Sequence, residues 1–343
     1  MNPPIFPERS NCLVKKYLSL EIFNALEHQK TDSRFTLAQA INSGIKNWDS
    51  SIGIYAGDAQ SYRTFSLLFD PIICEYHGFS KDKNHKPDIS PLMLPSLDPE
   101  KKYIKSTRVR VARNLEGFSF PCHISLSQRR KLEKKIISAL DRLKDDLKGK
   151  YYSFEPIDEK ELKQLKKENL WFQKGDRFQD AAGINSDFPK CRGVFHSFDK
   201  RFMVWVNEED HLRVIGLERT SDISSVYNRL SRALSALNQS LAFSRDETYG
   251  YLTSCPTNIG TSMRAGVHIQ LEKLEQNKDL LHGIVKGYNL QIRGTGGEKT
   301  KVENAMFDIS NRQRLGISES KIIQNLHAGL LAIIKAEKNL GTP

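Results

Sequence analysis

The sequence predicts an α+β protein: a small all-helical N-terminal domain, then a larger domain with a mostly antiparallel β-sheet flanked by helices. Three observations carry this. In the first ninety residues apolar positions recur at helical spacing, as at Leu18, Ile22 and Leu26. Residues 85–99 then hold four prolines, which remove amide donors and restrict their predecessors. Beyond them, β-prone runs alternate with long apolar-striped helices. A length of 343 residues suits two domains, and the expected division is 1–90 and 91–343.

After the proline-rich stretch, Tyr103 to Val111 reads as a strand with Arg108 and Arg110 on one face and Thr107 and Val109 on the other. Ser125 opens a helix, with Gln128 placed for a capping box. Leu132, Ile136, Leu140, Leu143 and Leu147 form its expected apolar stripe. Phe202 to Val206 and Leu212 to Leu217 read as a hairpin joined by residues 207–211. A helix is expected near Asp222 to Leu241, burying Val226, Leu230, Leu234, Leu237 and Leu241. Strands return around Tyr251, around Val267 and from Leu290 to Arg293. A last helix spans Ser318 to Leu340, with Gly341 as its C-cap.

Composition narrows the class. Hydrophobic residues make up 38% and charged ones 27%, enough for a true core. No apolar run reaches the length of a bilayer span. The N-terminus lacks an apolar signal core, and Asn2 breaks the myristoylation pattern. Five cysteines are an odd count without a Cys-x-x-Cys pair, which argues against a disulfide framework and a thiolate zinc site. A cytoplasmic protein without membrane partners is expected. The net charge of +11 admits nucleic acid or a polyphosphate as partner. Much of it falls on solvated helix faces such as Gln128 to Lys150. No nucleic-acid motif appears, so none is expected to bind.

Residues 251–268, Tyr-Leu-Thr-Ser-Cys-Pro-Thr-Asn-Ile-Gly-Thr-Ser-Met-Arg-Ala-Gly-Val-His, carry the strongest local signal. Cys255 is followed by Pro256, by the Thr257 hydroxyl, and by Gly260, which frees the backbone to bend. Arg264 and His268 add cationic or donor groups, and donors with positive charge favour a thiolate. Arg108 and Arg110 share a strand face, and Arg213, Arg264 and Arg293 each border another motif. Arginine's planar fork suits phosphate oxygens. Arg113 has no such support. Two acids complete the set: Glu209 in Asn-Glu-Glu-Asp-His-Leu-Arg, residues 207–213, and Glu298 in Arg-Gly-Thr-Gly-Gly-Glu, residues 293–298. A pair of carboxylates can grip a guanidinium, orient its nitrogen and accept its proton.

These motifs resemble those of the phosphagen kinases, which move a phosphoryl group between ATP and a guanidine. The cysteine segment matches Cys-Pro-(Ser/Thr)-Asn-Leu-Gly-Thr, and Asn-Glu-Glu-Asp-His matches the family's acidic turn. Similarity runs from Lys15-Lys-Tyr-Leu to Glu337-Lys-Asn-Leu. The resemblance implies that Glu209, Glu298 and Cys255 meet the guanidinium, Cys255 as an orienting thiolate with Thr257 depressing its pKa. It assigns Ser106, Arg108, Arg110, His196, Arg213, Arg264, His268 and Arg293 to ATP. It places Mg²⁺ on ATP or ADP oxygens without a closed protein cage, with Glu208 and Asp210 reaching its waters. The run 293–297 resembles the family's lid, which closes and excludes water.

Residues 49–58, Asp-Ser-Ser-Ile-Gly-Ile-Tyr-Ala-Gly-Asp, resemble the short specificity loop of the arginine kinases. By that likeness Ser50, Ser51 and Ile52 amides and Tyr55 engage the carboxylate end of L-arginine, as an anion nest does. Ser51 stands where those enzymes usually have glycine, Gly296 where their lid has a second arginine, and Asn304-Ala305 where it has Gly-Gly. Taurocyamine is the alternative substrate, since a nest also accepts a sulfonate. A protein-arginine kinase and a non-catalytic basic scaffold are the other readings. A monomer is the expected state.

Overall fold

The computed structural model describes residues 3–82, 84–294 and 304–340. Helices Leu13–Tyr17, Leu20–Leu26, Leu37–Lys46, Ser61–Thr64 and Ser66–His77 build the N-terminal part. Leu18, Ile22 and Leu26 do not share one helix. Leu18 closes the first, and Ser19 starts the second by accepting the Ile22 amide on its hydroxyl. Thr36 and Gln39 form a capping box for Leu37–Lys46.

The remainder is built on strands β1 Ile104–Arg113, β2 Gly149–Ser153, β3 Gly193–Ser197, β4 Phe202–Val206, β5 Leu212–Glu218, β6 Arg245–Asp246, β7 Gly250–Tyr251, β8 Met263–Gln270, β9 Leu290–Arg293 and β10 Met306–Asn311. Eight of them form one sheet in the order β2-β3-β4-β5-β1-β8-β10-β9, and β6 pairs with β7 apart from it. Among the described residues each pairing between these strands is antiparallel. The fold is therefore α+β with a helical N-terminal part, as the sequence predicts. No helix among the described residues is long and apolar enough to cross a membrane.

One sheet face is apolar. Val109, Val111, Val204, Val214, Val267 and Ile309 share a core with helices Leu126–Leu140, Ile223–Asn238 and Glu319–Asn339. Gly216 is bare because Val226 lies against it: a Cβ there would stand 3.1 Å from Val226 Cγ1. The expected residues Val226, Leu230, Leu234 and Leu237 are buried on their helix, and Leu241 is buried beyond its end. Asp222 and Ser318 cap the two long helices. Gly341, the expected C-cap of the last, lies outside the described residues.

One expectation needs correction. The helix begun by Ser125 has its capping box but stops at Leu140. Leu143 and Leu147 are buried through a different path, in which Asp145 takes φ +53° and a 3₁₀ turn follows. The proline-rich stretch is held down by hydrogen bonds. The amides of Leu92 and Leu94 donate to Asn228 Oδ1 (2.9 Å) and Ser224 Oγ (3.0 Å), and that of Asp88 to Glu319 Oε2 (2.9 Å). Its prolines lack donors, but its other residues bind it across two helices.

Candidate active site

The register of the sheet gathers the arginines. Arg108 and Arg110 alternate on β1 and pair with Leu217 and Ile215 on β5, while Ala112 pairs with Arg213. On the other side Ser106 pairs with His268, and Arg110 directly faces Arg264. Asp308 continues the row from His268 to Arg293. Directly paired residues share a face, so Ser106, Arg108, Arg110, Arg213, Arg264, His268 and Arg293 all belong to one face. His196 joins them through Met203 and Ile215. This is the face opposite the helix-covered core.

So many cations on one surface repel. Burial pushes Arg108 down to about 10, with Arg213 and Arg264 adding to the effect. Burial likewise holds Arg110 well below its ordinary value, aided by Arg213, Arg108, Arg264 and Arg314. Anionic oxygens placed among these side chains would relieve that repulsion.

The acidic turn joins β4 to β5. Asn207 takes φ +60°, a conformation asparagine tolerates better than most residues. Its side-chain amide donates to Cys191 O at 2.7 Å. The turn presents Glu208 and Glu209 to Arg213, whose Nη2 lies 2.8 Å from Glu208 Oε2 and 3.0 Å from Glu209 Oε2. Burial raises Glu209 to about 7 against the lowering effect of Arg213, with the charges of Glu208 and Asp210 adding to the rise. A carboxyl near neutrality is suited to taking and returning a proton.

Cys255 stands at the start of the 3₁₀ turn Pro256–Asn258. Its Sγ lies 3.1 Å from Thr257 Oγ1. Gly260 takes φ +91°, and a Cβ there would stand 2.2 Å from Arg314 O, so glycine is required. Burial and the nearby Glu209 charge push the Cys255 thiol up to about 12, while Thr257 pulls it down. The cationic help expected from Arg264 is spent elsewhere, on Asp308 at 2.7 Å. In this arrangement burial and the Glu209 charge disfavour the thiolate that the resemblance implies.

A cavity of about 830 Å³ runs through these groups. Its lining includes Ser50, Ser51, Ile52 and Tyr55 from the N-terminal part, together with Glu209, Cys255, Arg110 and Arg293. The amides of Ser51 and Ile52 take no hydrogen bond among the described residues. Ala56 N donates to Ser254 O at 2.8 Å, tying the loop to the cysteine segment. A second cavity of about 370 Å³ is walled by Trp171, Trp205, Met203, Ile215 and Leu217, with Arg108 and Lys166 among its polar residues.

Other sequence-derived candidates fall outside both linings. His196 stacks on Tyr152 at 5.0 Å and donates Nδ1–H to Ser197 O at 2.9 Å. Asp210 is turned inward, its Oδ1 accepting Asn114 Nδ2 at 2.6 Å and Ser254 N at 2.7 Å, which departs from the expected position near magnesium waters. Glu298 and Gly296 lie outside the described residues. Arg113 is a packing residue, 1% exposed, with its guanidinium 3.4 Å from the Tyr251 ring centroid and 3.8 Å from Glu319. Among the described residues no three His, Cys, Asp or Glu side chains gather as a metal-binding group.

Arg314, His77 and Asp176 are among the cavity residues that sequence reasoning missed. Arg314 Nη1 donates to Thr257 O at 3.0 Å. His77, neutral because burial pushes it down to about 4, donates Nε2–H to Pro256 O at 2.9 Å. Asp176 caps the helix Arg177–Ala181, accepting the Phe178 and Gln179 amides on Oδ1 at 3.0 Å each. The capping pattern of Asp176 was readable in the sequence. Arg314 and His77 reach the cavity by tertiary packing and gave no local signal.

The profile "ATP:guanido phosphotransferase, C-terminal catalytic domain" matches residues 131–340, and "ATP:guanido phosphotransferase, N-terminal domain" matches 8–74. An arginine kinase of Limulus polyphemus is 44% identical over 339 residues, covering 96% of this chain and 94% of that protein. An arginine kinase of Anthopleura japonica is 45% identical over 332 residues, but the chain spans only 46% of its length. Among solved structures, a lombricine kinase matches with a TM-score of 0.94 at 34% identity, covering 99% of this chain and 95% of that one. The duplicated taurocyamine kinase of Schistosoma mansoni matches with a TM-score of 0.89 at 38% identity, covering 96% and 46%. Both domain profiles and a near full-length relative agree, and the chain belongs to the ATP:guanido phosphotransferase, or phosphagen kinase, family of phosphotransferases.

Proposed function

We propose that the chain catalyses reversible phosphoryl transfer between Mg-ATP and the guanidino group of L-arginine. The observation that carries the choice of substrate is the lining of the larger cavity. It holds Ser51 and Ile52, whose amides donate to no described residue, together with Tyr55 and the carboxylate of Asp176. Asp49, also there, is engaged by Arg177, whereas Oδ2 of Asp176 takes no described partner. Amide donors suit a carboxylate, and Asp176 suits an ammonium. Such a pair matches a zwitterionic amino-acid head better than a sulfonate alone.

The guanidinium would then lie between Glu209 and Cys255. Glu209 accepts a proton from the attacking nitrogen, whose lone pair forms the N–P bond as the bond from the γ-phosphorus to the bridging oxygen breaks. ADP leaves with that electron pair. Arg110, Arg213, Arg264 and Arg293 neutralise the phosphate oxygens, the main requirement of this chemistry. The aromatic walls Trp171 and Trp205 of the smaller cavity, with Arg108 beside them, suit the base of ATP. Glu208, whose Oε2 lies 2.8 Å from Arg213 Nη2, would accept from a water of magnesium, which would supply charge neutralisation while carried by the nucleotide. In this reading residues 1–90 recognise the tail of the guanidine and 91–343 carry out the transfer. In the cytoplasm such a transfer buffers ATP.

Taurocyamine is the second reading, favoured by the same amides taken without Asp176. The test is ADP formation by the purified protein with Mg-ATP and, separately, L-arginine, taurocyamine, lombricine, glycocyamine and creatine. Turnover dominated by L-arginine supports the proposal. Dominance by taurocyamine moves the substrate, and silence on the panel sinks the reading.

A further inference from the structure

Asn114 and Asp210 are buried, 0% and 1% exposed, and neither lines the larger cavity. Buried polar groups are costly unless bonded, and the bonds of these two converge. Asn114 Nδ2 donates to Asp210 Oδ1 at 2.6 Å, and its Oδ1 accepts the His211 amide at 2.8 Å. The Ser254 amide donates to that same Asp210 oxygen at 2.7 Å. The Ser254 carbonyl in turn accepts Ala56 N at 2.8 Å. Asp210 Oδ2 has no hydrogen-bond partner among the described residues.

Four segments therefore meet, and each carries a residue of the proposed site. Arg110 lies on β1, which ends one residue before Asn114. Glu209 adjoins Asp210, Cys255 adjoins Ser254, and Tyr55 adjoins Ala56.

We infer that Asp210 and Asn114 are positioning residues that fix the Glu209 carboxylate, the Cys255 thiol and the Tyr55 loop relative to one another. The inference rests on the phosphoryl-transfer reading above. Asp210 acts through the acceptor at Oδ1, not through its charge. Glu209 and Cys255 must meet one planar guanidinium, so a shift of about 1 Å between them costs on the order of 10²-fold in rate.

The acceptor and the charge are separable. Asp210→Asn keeps an oxygen for Asn114 and Ser254 and places its amide where Oδ2 has no partner. Asp210→Ala removes the acceptor. Asn114→Asp keeps the shape but sets an acceptor against an acceptor.

The experiment measures kcat and both KM values of the full chain with Mg-ATP and L-arginine, with thermal unfolding as a check that each variant is folded. Asp210→Asn should keep kcat within about threefold, whereas Asp210→Ala and Asn114→Asp should lose about 10²-fold, with the KM for ATP within about twofold throughout. An Asp210→Asn variant as slow as Asp210→Ala overturns the inference, because the charge would then be the working feature. So does near wild-type kcat in folded Asp210→Ala or Asn114→Asp. If Asp210→Ala does not fold, Asp210→Asn against Asn114→Asp still decides. A wild-type chain inert on every guanidine would instead overturn the reading of function.

Discussion

The Ser254 amide donates to Asp210 Oδ1 at 2.7 Å, so the residue before the thiol is pinned to the residue after the central carboxylate. Cys255 and Glu209 thereby become neighbours in space although they come from a cysteine segment and a hairpin turn. Their proximity is visible in their electrostatics: the Glu209 charge is one reason the Cys255 thiol is raised.

Glu209→Gln separates function from stability. The carboxyl is raised from an ordinary 4.5 to about 7 in the fold. Between those values the native state holds more protons than the unfolded one, so stability falls as pH climbs through that window. Glutamine removes this cost. At pH 8 the variant should lose about 10²-fold or more in kcat, with unfolding free energy unchanged or higher by about 1–2 kcal/mol. Urea titrations at pH 8 check this, and a large destabilisation would contradict it.

In the wild type, the proton acceptor must be ionised to work. The rate of phosphoryl transfer to the guanidine should therefore fall as pH drops through about 7. A pH profile of kcat/KM for the guanidine that stays flat down to pH 5 would count against Glu209 as that acceptor.

Cys255 should be slow to alkylate. Its thiol is pushed up to about 12 by burial and by Glu209, and the thiolate is the reactive form. Iodoacetamide labelling of the Cys255 peptide, followed by mass spectrometry, should be slow at pH 8 and keep rising beyond pH 10. Glu209→Gln removes a raising charge and should speed labelling at pH 8. A rate that levels off near pH 7 would show that the thiol is already ionised.

Arg113 should matter to the fold and not to the chemistry. Its Nη1 donates to Ala112 O at 2.7 Å and Thr261 O at 3.0 Å, and Glu319 beside it is equally buried. Arg113→Met leaves that carboxylate without its cation, which costs about 3–5 kcal/mol. Urea unfolding should register the loss, while kcat per folded molecule stays near that of the wild type.

Asp176→Asn tests the amino-acid end of the cavity. Losing a charged hydrogen bond to an ammonium is worth roughly tenfold in KM for L-arginine. Steady-state kinetics should show that rise with the KM for ATP unchanged, and no loss with taurocyamine. Equal losses for both substrates would remove Asp176 from recognition.

How much of this was readable in sequence depends on locality. The alternation of Arg108 and Arg110 on β1 is a local property, and the sheet register extended it to Arg213, Arg264 and Arg293. The caps Ser125, Asp222 and Ser318 were equally local. Leu143 and Leu147 kept the apolar spacing past the end of their helix, because burial alone does not reveal which backbone path achieves it. Asp210 shares its motif with Glu209, yet its neighbours Asn114 and Ser254 come from distant segments and turn it inward. Arg314 lay in no motif and reaches Thr257 only through folding.

The most direct measurement is a ³¹P NMR spectrum of the purified chain turning over Mg-ATP in an equimolar mixture of L-arginine, taurocyamine and lombricine. The account predicts one dominant N–P resonance, coincident with added phosphoarginine, which reverts to ATP on addition of excess Mg-ADP. A dominant phosphotaurocyamine or phospholombricine signal would contradict the assigned substrate. Inorganic phosphate alone would contradict phosphoryl transfer to a guanidine.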